Sequence, residues 1–201
     1  MQTDVLVPLK RLDAAKSRLA HALSVAERRR LMAAMVVHVA RTALAADVGR
    51  VALVSSDPAA PELAVRLGVA CVSDAGLPWN PGLVHARTQL PAPAGAVLYL
   101  AGDLPLVEVA DVAALLDAGH DAGAVVGRAH DGGTNALWVC PAAALEPAFG
   151  TSGSAAVHAA RAQECGLDVV VLDRPAIACD IDTAADLAHA RSLLRAAAGV
   201  I

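Results

Sequence analysis

Aromatic side chains are nearly absent from this chain: one Tyr, one Phe and two Trp make up 2% of 201 residues. That scarcity excludes a base-stacking platform of the kind that binds single-stranded nucleic acid. An excess of positive charge is lacking too, with 16 Lys and Arg against 20 Asp and Glu and a net charge of −4, so a broad nucleic-acid footprint is not expected. Although 56% of residues are hydrophobic, no apolar run approaches the ~18 residues of a membrane span. The best candidate, 31–40, is cut by His38 and bounded by Arg28–Arg30 and Arg41. Asp4, Lys10 and Arg11 interrupt any apolar core of a secretory signal, so a soluble, cytoplasmic protein is expected. The four cysteines show no C-x-x-C spacing, and Cys71 and Cys140 fall in apolar, strand-like runs where a small buried thiol is expected. Zinc-type histidine spacing, G-x-S-x-G, G-x-x-x-x-G-K-[ST] and G-x-G-x-x-G are all missing.

What is present is an alternation of short apolar runs with segments of helical period, the pattern of a βαβ chain around a largely parallel sheet. Strands are predicted at 4–9, 51–55, 69–72, 96–101, 122–128, 136–140 and 167–172. Ser24-x-x-Glu27 is a capping box that opens a helix over 24–46. Further helices are predicted up to Leu67, up to Leu90, over 109–117, up to Cys165 and over 184–197, the last with Thr183 as N-cap. The residues between Ser73 and Gly82 are dense in turn formers. With no repeat and no linker, one domain over 1–201 is expected.

Two groups of charge stand out against this frame. Lys10, Arg11, Lys16 and Arg18 fall within nine residues just after the first predicted strand, and open α/β sheets bind ligands at that edge. Lys10 follows the strand directly after Pro8, and Lys16 and Arg18 are expected to open a helical stretch whose N–H groups add to an anion site. Arg11 reads as a solvated side chain. Opposite in sign, Asp103 follows the most apolar strand, while Asp180 and Asp182 are spaced so that both point to one side of an extended segment. A turn-forming Asp103 and an N-capping Asp182 are the ordinary readings. Two acidic clusters at strand ends favour a hard divalent cation held by oxygen ligands. Gly133-Thr134-Asn135 and Phe149-Gly150-Thr151-Ser152-Gly153-Ser154 suit the close approach of a phosphate or carboxylate, although polar turns alone would account for them. His158 lies one helical turn beyond Ser154, and a packed histidine is the favoured reading there.

Six motifs occur in order over nearly the whole chain: Val7-Pro8-Leu9-Lys10, Ala15-Lys16-Ser17-Arg18-Leu19, Ser55-Ser56-Asp57-Pro58, Gly102-Asp103-Leu104-Pro105-Leu106, Gly133-Thr134-Asn135-Ala136-Leu137 and Asp180-Ile181-Asp182-Thr183. Together they resemble the guanylyltransferases of coenzyme F-420 biosynthesis, the 2-phospho-L-lactate or phosphoenolpyruvate guanylyltransferase family. The resemblance implies a Rossmann-like, GT-A-type nucleotide-diphospho-sugar transferase fold with a mostly parallel central sheet. It implies Mg²⁺-dependent transfer of GMP from GTP onto a three-carbon phospho-acid, phosphoenolpyruvate being favoured, with release of diphosphate. Lys10, Lys16 and Asp103 then match catalytic positions, and Asp103, Asp180 and Asp182 match the metal-binding acids. Pro8, Leu9, Lys10, Ser56, Asp57, Asn80 and Gly102 match the nucleotide-binding segments, and Thr134, Gly150 and Ser154 match the phospho-acid contacts. The turn from Phe149 to Ser154 is one residue longer than the family pattern; anchoring it on Ser154 and His158 sets this register, with Gly153 the alternative binding position. A small phospho-acid and GTP are the implied partners, with no nucleic acid and no membrane, and a homodimer is compatible with the resemblance. Other readings are a relative with a different phosphorylated acceptor, against which the glycine-free first loop speaks, and a non-catalytic nucleotide binder, against which the retained acids and lysines speak.

Overall fold

A computed structural model of the chain describes residues 2–13, 16–91 and 94–198, with side chains in the final helix described to residue 192. Ala15 of the second motif and part of the Pro-rich turn at 92–93 lie outside the described residues. The chain runs β1 (Thr3–Pro8), a single 3-10 turn (Ser17–Leu19), α1 (Val25–Leu44), β2 (Arg50–Val54), α2 (Ala60–Leu67), β3 (Ala70–Val72), α3 (Trp79–Thr88) and β4 (Ala96–Leu100). It continues as α4 (Val109–His120), β5 (Ala124–Arg128), β6 (Thr134–Val139), α5 (Ser154–Glu164), β7 (Val169–Leu172), α6 (Pro175–Ala178) and α7 (Ala184–Ala198). The seven strands lie in the order β3-β2-β1-β4-β6-β5-β7. All neighbours are parallel except β6, which runs against both β4 and β5. The mostly parallel sheet expected from the alternation is therefore present.

Both faces of the sheet are covered, which is why its strands read as unbroken apolar runs. Alternation sorts their side chains. Val5, Val7, Leu98, Leu100, Ala136 and Trp138 pack with Met35, Val36 and Val39 of α1 and Val112 and Leu115 of α4. Leu6, Val97, Tyr99, Leu137 and Val139 point the other way, into Leu83 and Ala86 of α3 and Ala155 and Ala162 of α5. Most of these residues are small or branched aliphatics, so helices approach closely. One exception is Trp138, fully buried, whose Nε1 donates to Thr3 Oγ1 at 3.2 Å. Gly119 on α4 makes room for it: a Cβ there would meet three indole atoms at 2.8–2.9 Å.

Local signals were sound where they were strong. Ser24 caps α1 in a reciprocal box with Glu27, and Thr183 Oγ1 accepts from Asp186 N while Asp186 accepts from Thr183 N. Three expectations are corrected. Residues 17–19 form one 3-10 turn, not the start of an α-helix, so no row of helical N–H groups faces an anion there. Cys71 is exposed, because β3 is an edge strand, and Cys140 is half-buried. Thr134 and Asn135 begin β6 and do not lie in the preceding turn. Among the described residues no helix is long and apolar enough to cross a membrane.

The sheet reverses direction of growth between β1 and β4, and crevices form at the carboxyl ends of strands on either side of such a point. Because β6 is antiparallel, its first residues arrive at that same edge; Ala101 N donates to Asn135 O at 2.8 Å.

Filling the Gly119 gap should unsettle this core. Gly119→Ala drives a methyl into the Trp138 ring and is expected to cost roughly 1–3 kcal/mol, several degrees of melting temperature by calorimetry. An unchanged melting temperature would show that the ring can shift freely.

Candidate active site

The site is built at the β1/β4 edge from three stretches far apart in sequence. After Pro8 the backbone stays on the sheet for one more residue, Leu9 N donating to Val54 O at 2.9 Å. Residues 9–13 are then held by Asp57, whose buried carboxylate accepts from Leu12 N at 2.7 Å and Ala59 N at 2.8 Å. Lys16 follows with a left-handed backbone, φ 53°, and turns its side chain inward until only 6% is exposed. Its Nζ donates to Asp103 Oδ2 at 2.5 Å and to Asp182 Oδ1 at 2.9 Å.

Asp103 is placed by Gly102, where β4 comes so close to β1 that a Cβ would meet Pro8 O at 2.7 Å and Val36 Cγ2 at 2.9 Å. Asp180 and Asp182 come from the segment between α6 and α7, which is pinned to the sheet edge in two ways. Ile181 N donates to Asp103 O at 3.3 Å, and Asn135 Nδ2 donates to Ile177 O at 2.9 Å and Asp180 Oδ1 at 3.0 Å. The outcome is a cluster in which one carboxylate oxygen from each of Asp103, Asp180 and Asp182 lies within 4.8 Å of the others.

Electrostatics follow from that packing. Burial lowers the Lys16 pKa, yet Asp103 and Asp182 outweigh it and the ammonium is held above its ordinary value. Burial would raise Asp182, but the Lys16 hydrogen bond and charge bring it below the ordinary carboxylate range. Asp180 has no such cation: burial first, then the charge of Asp103, push it up despite the Asn135 hydrogen bond. His130 Nδ1 stands 3.7 Å from it. Carboxylates so arranged want a further positive charge, and all the donors are hard oxygens, the set that suits a divalent ion such as Mg²⁺ or Mn²⁺.

Two clefts meet at this cluster. One, of about 290 Å³, is lined by Lys10, Lys16, Ser17, Arg18, Met32 and Gly102. The other, of about 260 Å³, is lined by Leu83, Tyr99, Thr134, Asn135, Phe149, Gly150 and Asp180. Pro8, Lys10, Trp79, Ala101, Asp103 and Asp182 belong to both. Lys10 Nζ lies 4.4 Å from the centre of the Trp79 ring at the mouth. Arg18 reaches Asp182 at 3.4 Å from an exposed position, and Arg11 pairs with Asp13 in solvent.

The second cleft has a buried polar wall. His158 is fully buried and Ser154 is 1% exposed. The His158 Nε2 accepts from Ala148 N at 2.7 Å, and its Nδ1 lies 2.9 Å from Thr134 Oγ1, which also accepts from Ser154 Oγ at 3.1 Å. Burial, reinforced by the nearby Arg161 charge, lowers the His158 pKa to about 4. Gly150, at φ +106°, takes a backbone that other residues rarely adopt, with open space where a side chain would be.

The structure thus brings Pro8, Lys10, Lys16, Gly102, Asp103, Thr134, Gly150, Asp180 and Asp182 to the walls of these clefts, and sets Ser154 directly behind Thr134. Leu9 is buried beneath them. Ser56, Asp57 and Asn80 lie outside both linings. Asp57 is occupied with backbone amides, and Ser56 Oγ with Asp74 and Gly76 N. Asn80 grips the Phe149 backbone from both sides, donating to its carbonyl at 3.1 Å and accepting from its amide at 2.9 Å. Trp79 was not singled out from sequence, and Asn135 only as part of the Gly133-Thr134-Asn135 motif, with no role of its own. A tryptophan among turn formers in a chain so poor in aromatics was the available signal for the first.

The family model described as "Guanylyl transferase CofC like" matches residues 3–191. The chain is 41% identical to a phosphoenolpyruvate guanylyltransferase of Sphaerobacter thermophilus over 93% of its own length and 91% of that protein's. It is 36% identical to a 2-phospho-L-lactate guanylyltransferase of Methanothermobacter thermautotrophicus over 97% of its length and 91% of that protein's. Among solved structures, a nucleotide-diphospho-sugar transferase-like protein from Desulfovibrio desulfuricans G20 superposes with a TM-score of 0.74 at 19% identity, covering 93% of this chain and 85% of that one. Rv0371C of Mycobacterium tuberculosis H37Rv, solved in complex with manganese, superposes with a TM-score of 0.57 at 20% identity, covering 94% and 97%. These two likenesses establish the fold.

The depressed histidine has a consequence for stability against acid. With the folded ring at about 4 and a free histidine at 6.5, the unfolded chain takes up the proton first. Stability associated with neutral His158 is therefore complete above 6.5 and is lost as pH falls toward about 4. In denaturant melts through that window, His158→Asn should lose stability less steeply than the wild type, whatever its stability at neutral pH. Equal slopes would mean the ring titrates normally.

Proposed function

This chain belongs to the CofC-like guanylyl transferase family, and from that membership we propose that it transfers GMP from GTP to the phosphate of a three-carbon phospho-acid, with phosphoenolpyruvate favoured, in coenzyme F-420 biosynthesis. The observation that carries the reading is the meeting of two clefts at one cationic and acidic seam, Lys10, Lys16, Asp103 and Asp182. A two-substrate phosphoryl-group reaction needs such a seam, because both reactants are anionic and must be held in line.

In this reading GTP occupies the cleft of Lys16, Arg18 and Gly102, and the phospho-acid occupies that of Thr134, Gly150 and Asn135. A phosphate oxygen of the acid attacks the α-phosphorus; the new P–O bond forms as the bond to the β-bridging oxygen breaks, and diphosphate leaves with the electron pair. The attacking oxygen is already ionised, so no general base is required, in keeping with a buried His158 whose two ring nitrogens are engaged by Thr134 and Ala148. Lys10 and Lys16 offset the charge gathering on the diphosphate, and the rigid 102–103 backbone fixes where the acids stand. Asp103, Asp180 and Asp182 would hold Mg²⁺, and their oxygen-only donor set, with Lys16 standing among them as a cation, fits that ion. Once bound, the ion supplies further neutralisation of phosphate charge.

The direct test incubates the protein with GTP, Mg²⁺ and phosphoenolpyruvate, 2-phospho-L-lactate or 3-phospho-D-glycerate, and follows diphosphate release and product mass. Expected is a guanylylated acid from phosphoenolpyruvate at the highest kcat/KM, with Asp182→Asn reduced by about 100-fold or more while keeping its fold. No diphosphate from any of the three acids would overturn the reading.

Lys16 gives a second, activity-free test. Lys16→Met leaves the carboxylates facing one another without the ammonium, and should lower stability in chelator by about 2 kcal/mol, the partly exposed Asp182 moderating the loss. Added Mn²⁺ should then raise the melting temperature more than it does for the wild type. If Mn²⁺ stabilises neither protein, the three acids are not the metal site.

A further inference from the structure

The cleft proposed for the acceptor contains a hydroxyl whose proton has no acceptor among the described residues. Thr134 Oγ1 lies within hydrogen-bond reach of His158 Nδ1 at 2.9 Å and receives the Ser154 hydroxyl at 3.1 Å. Which of the threonine and the histidine donates is decided from the far side of the ring. Ala148 N–H is an obligatory donor, and it points at His158 Nε2 at 2.7 Å. Nε2 must therefore be bare, and in a neutral ring the proton sits on Nδ1. Thr134 Oγ1 thus accepts twice, filling both lone pairs, and its own proton finds no acceptor among the described residues.

We propose that His158 is a positioning residue of the acceptor site: fixed in its Nδ1–H form by Ala148, it donates to Thr134 and so turns the threonine's proton toward the cleft, as a donor to an anionic oxygen of the phospho-acid. The inference rests on the functional reading above and deepens it. Three further features agree with it. Thr134 heads β6 and lines the 260 Å³ cleft. The ring is fully buried and meets Phe149 edge-on at 5.1 Å, so it is held in one orientation. Its lowered pKa and the adjacent Arg161 charge keep it from becoming an imidazolium. A solvent-exposed threonine would share its proton with water. Here two buried donors fix its direction before the substrate arrives, which is the preorganisation that favours binding an anion.

The experiment compares wild type, Thr134→Val, His158→Phe, His158→Asn and the Thr134→Val/His158→Phe double variant in steady-state kinetics with GTP and phosphoenolpyruvate. Removing the histidine donor should raise the acceptor KM about tenfold, the size of one hydrogen bond to a charged group, with the GTP KM moved by less than about twofold. His158→Asn, which restores an N–H near the Nδ1 position, should recover part of that loss. The double variant should be no worse than Thr134→Val, because the two act through one hydroxyl. Losses that multiply in the double variant, or an acceptor KM that does not move in His158→Phe, overturn the inference and leave the guanylyltransferase reading standing. A wild type with no turnover overturns that reading and this one with it. Should His158→Phe not fold, ¹⁵N spectra of the wild-type imidazole decide: a bare Nε2 and protonated Nδ1 across neutral pH are expected, and the opposite tautomer overturns the proposal.

Discussion

One ammonium group holds the working edge of this protein together. Lys16 reaches Asp103 and Asp182, partners 87 and 166 residues away in the chain, and is nearly sealed from solvent in doing so. A buried ammonium without acids would be strongly unfavourable, and three converging carboxylates without a cation would repel. Each arrangement is tolerable only because of the other. The loop after β1, the end of β4 and the segment before α7 are therefore fixed relative to one another by charge, at the place where the clefts meet. The same balance leaves Asp180, which lacks a lysine, as the acid with a raised pKa.

Around that contact the sheet supplies the geometry. In an all-parallel sheet every strand would deliver only its carboxyl end to this edge. The reversed β6 delivers its amino end instead, bringing Thr134 and Asn135 beside Asp103 and Asp180. Gly102 allows β4 and β1 to close tightly there. One cleft is thus made from a strand start and a glycine-bearing loop, and the other from strand ends and a cationic loop.

Much of this was legible in the chain before any coordinates. Apolar runs bounded by turn formers gave the strands to within a residue or two, since burial on both faces leaves an uninterrupted signal. Ser24-x-x-Glu27 gave a helix start because both halves of the capping box lie within one turn. Asp103, Asp180, Asp182, Lys10 and Lys16 could be picked out because charge beside a buried strand needs a reason. What escaped were properties set by distant partners. Residues 17–19 make a single 3-10 turn entered through the left-handed backbone of Lys16, which no local pattern announces. Cys71 looks buried by its neighbours in sequence and is exposed because β3 is the edge strand among the described residues. Asp57 and Asn80 match nucleotide-binding segments by resemblance, and no motif tells that their polar atoms also hold backbone groups of this chain. The contacts of His158 depend on an amide ten residues upstream and a hydroxyl at the start of β6, neither of which leaves a periodic trace.

The first two residues of α3 tie the two clefts into a single mechanical part. Trp79 carries Lys10 on its ring, and Asn80 clasps the backbone of Phe149 as a neighbouring strand would. One helix end therefore sets the position of the lysine shared by the clefts and of the Phe149 loop together. A shift in the tilt of α3 would move both contacts at once. For anyone re-engineering either cleft, that helix start is the gear to leave untouched, because a change made there for one opening is felt in the other.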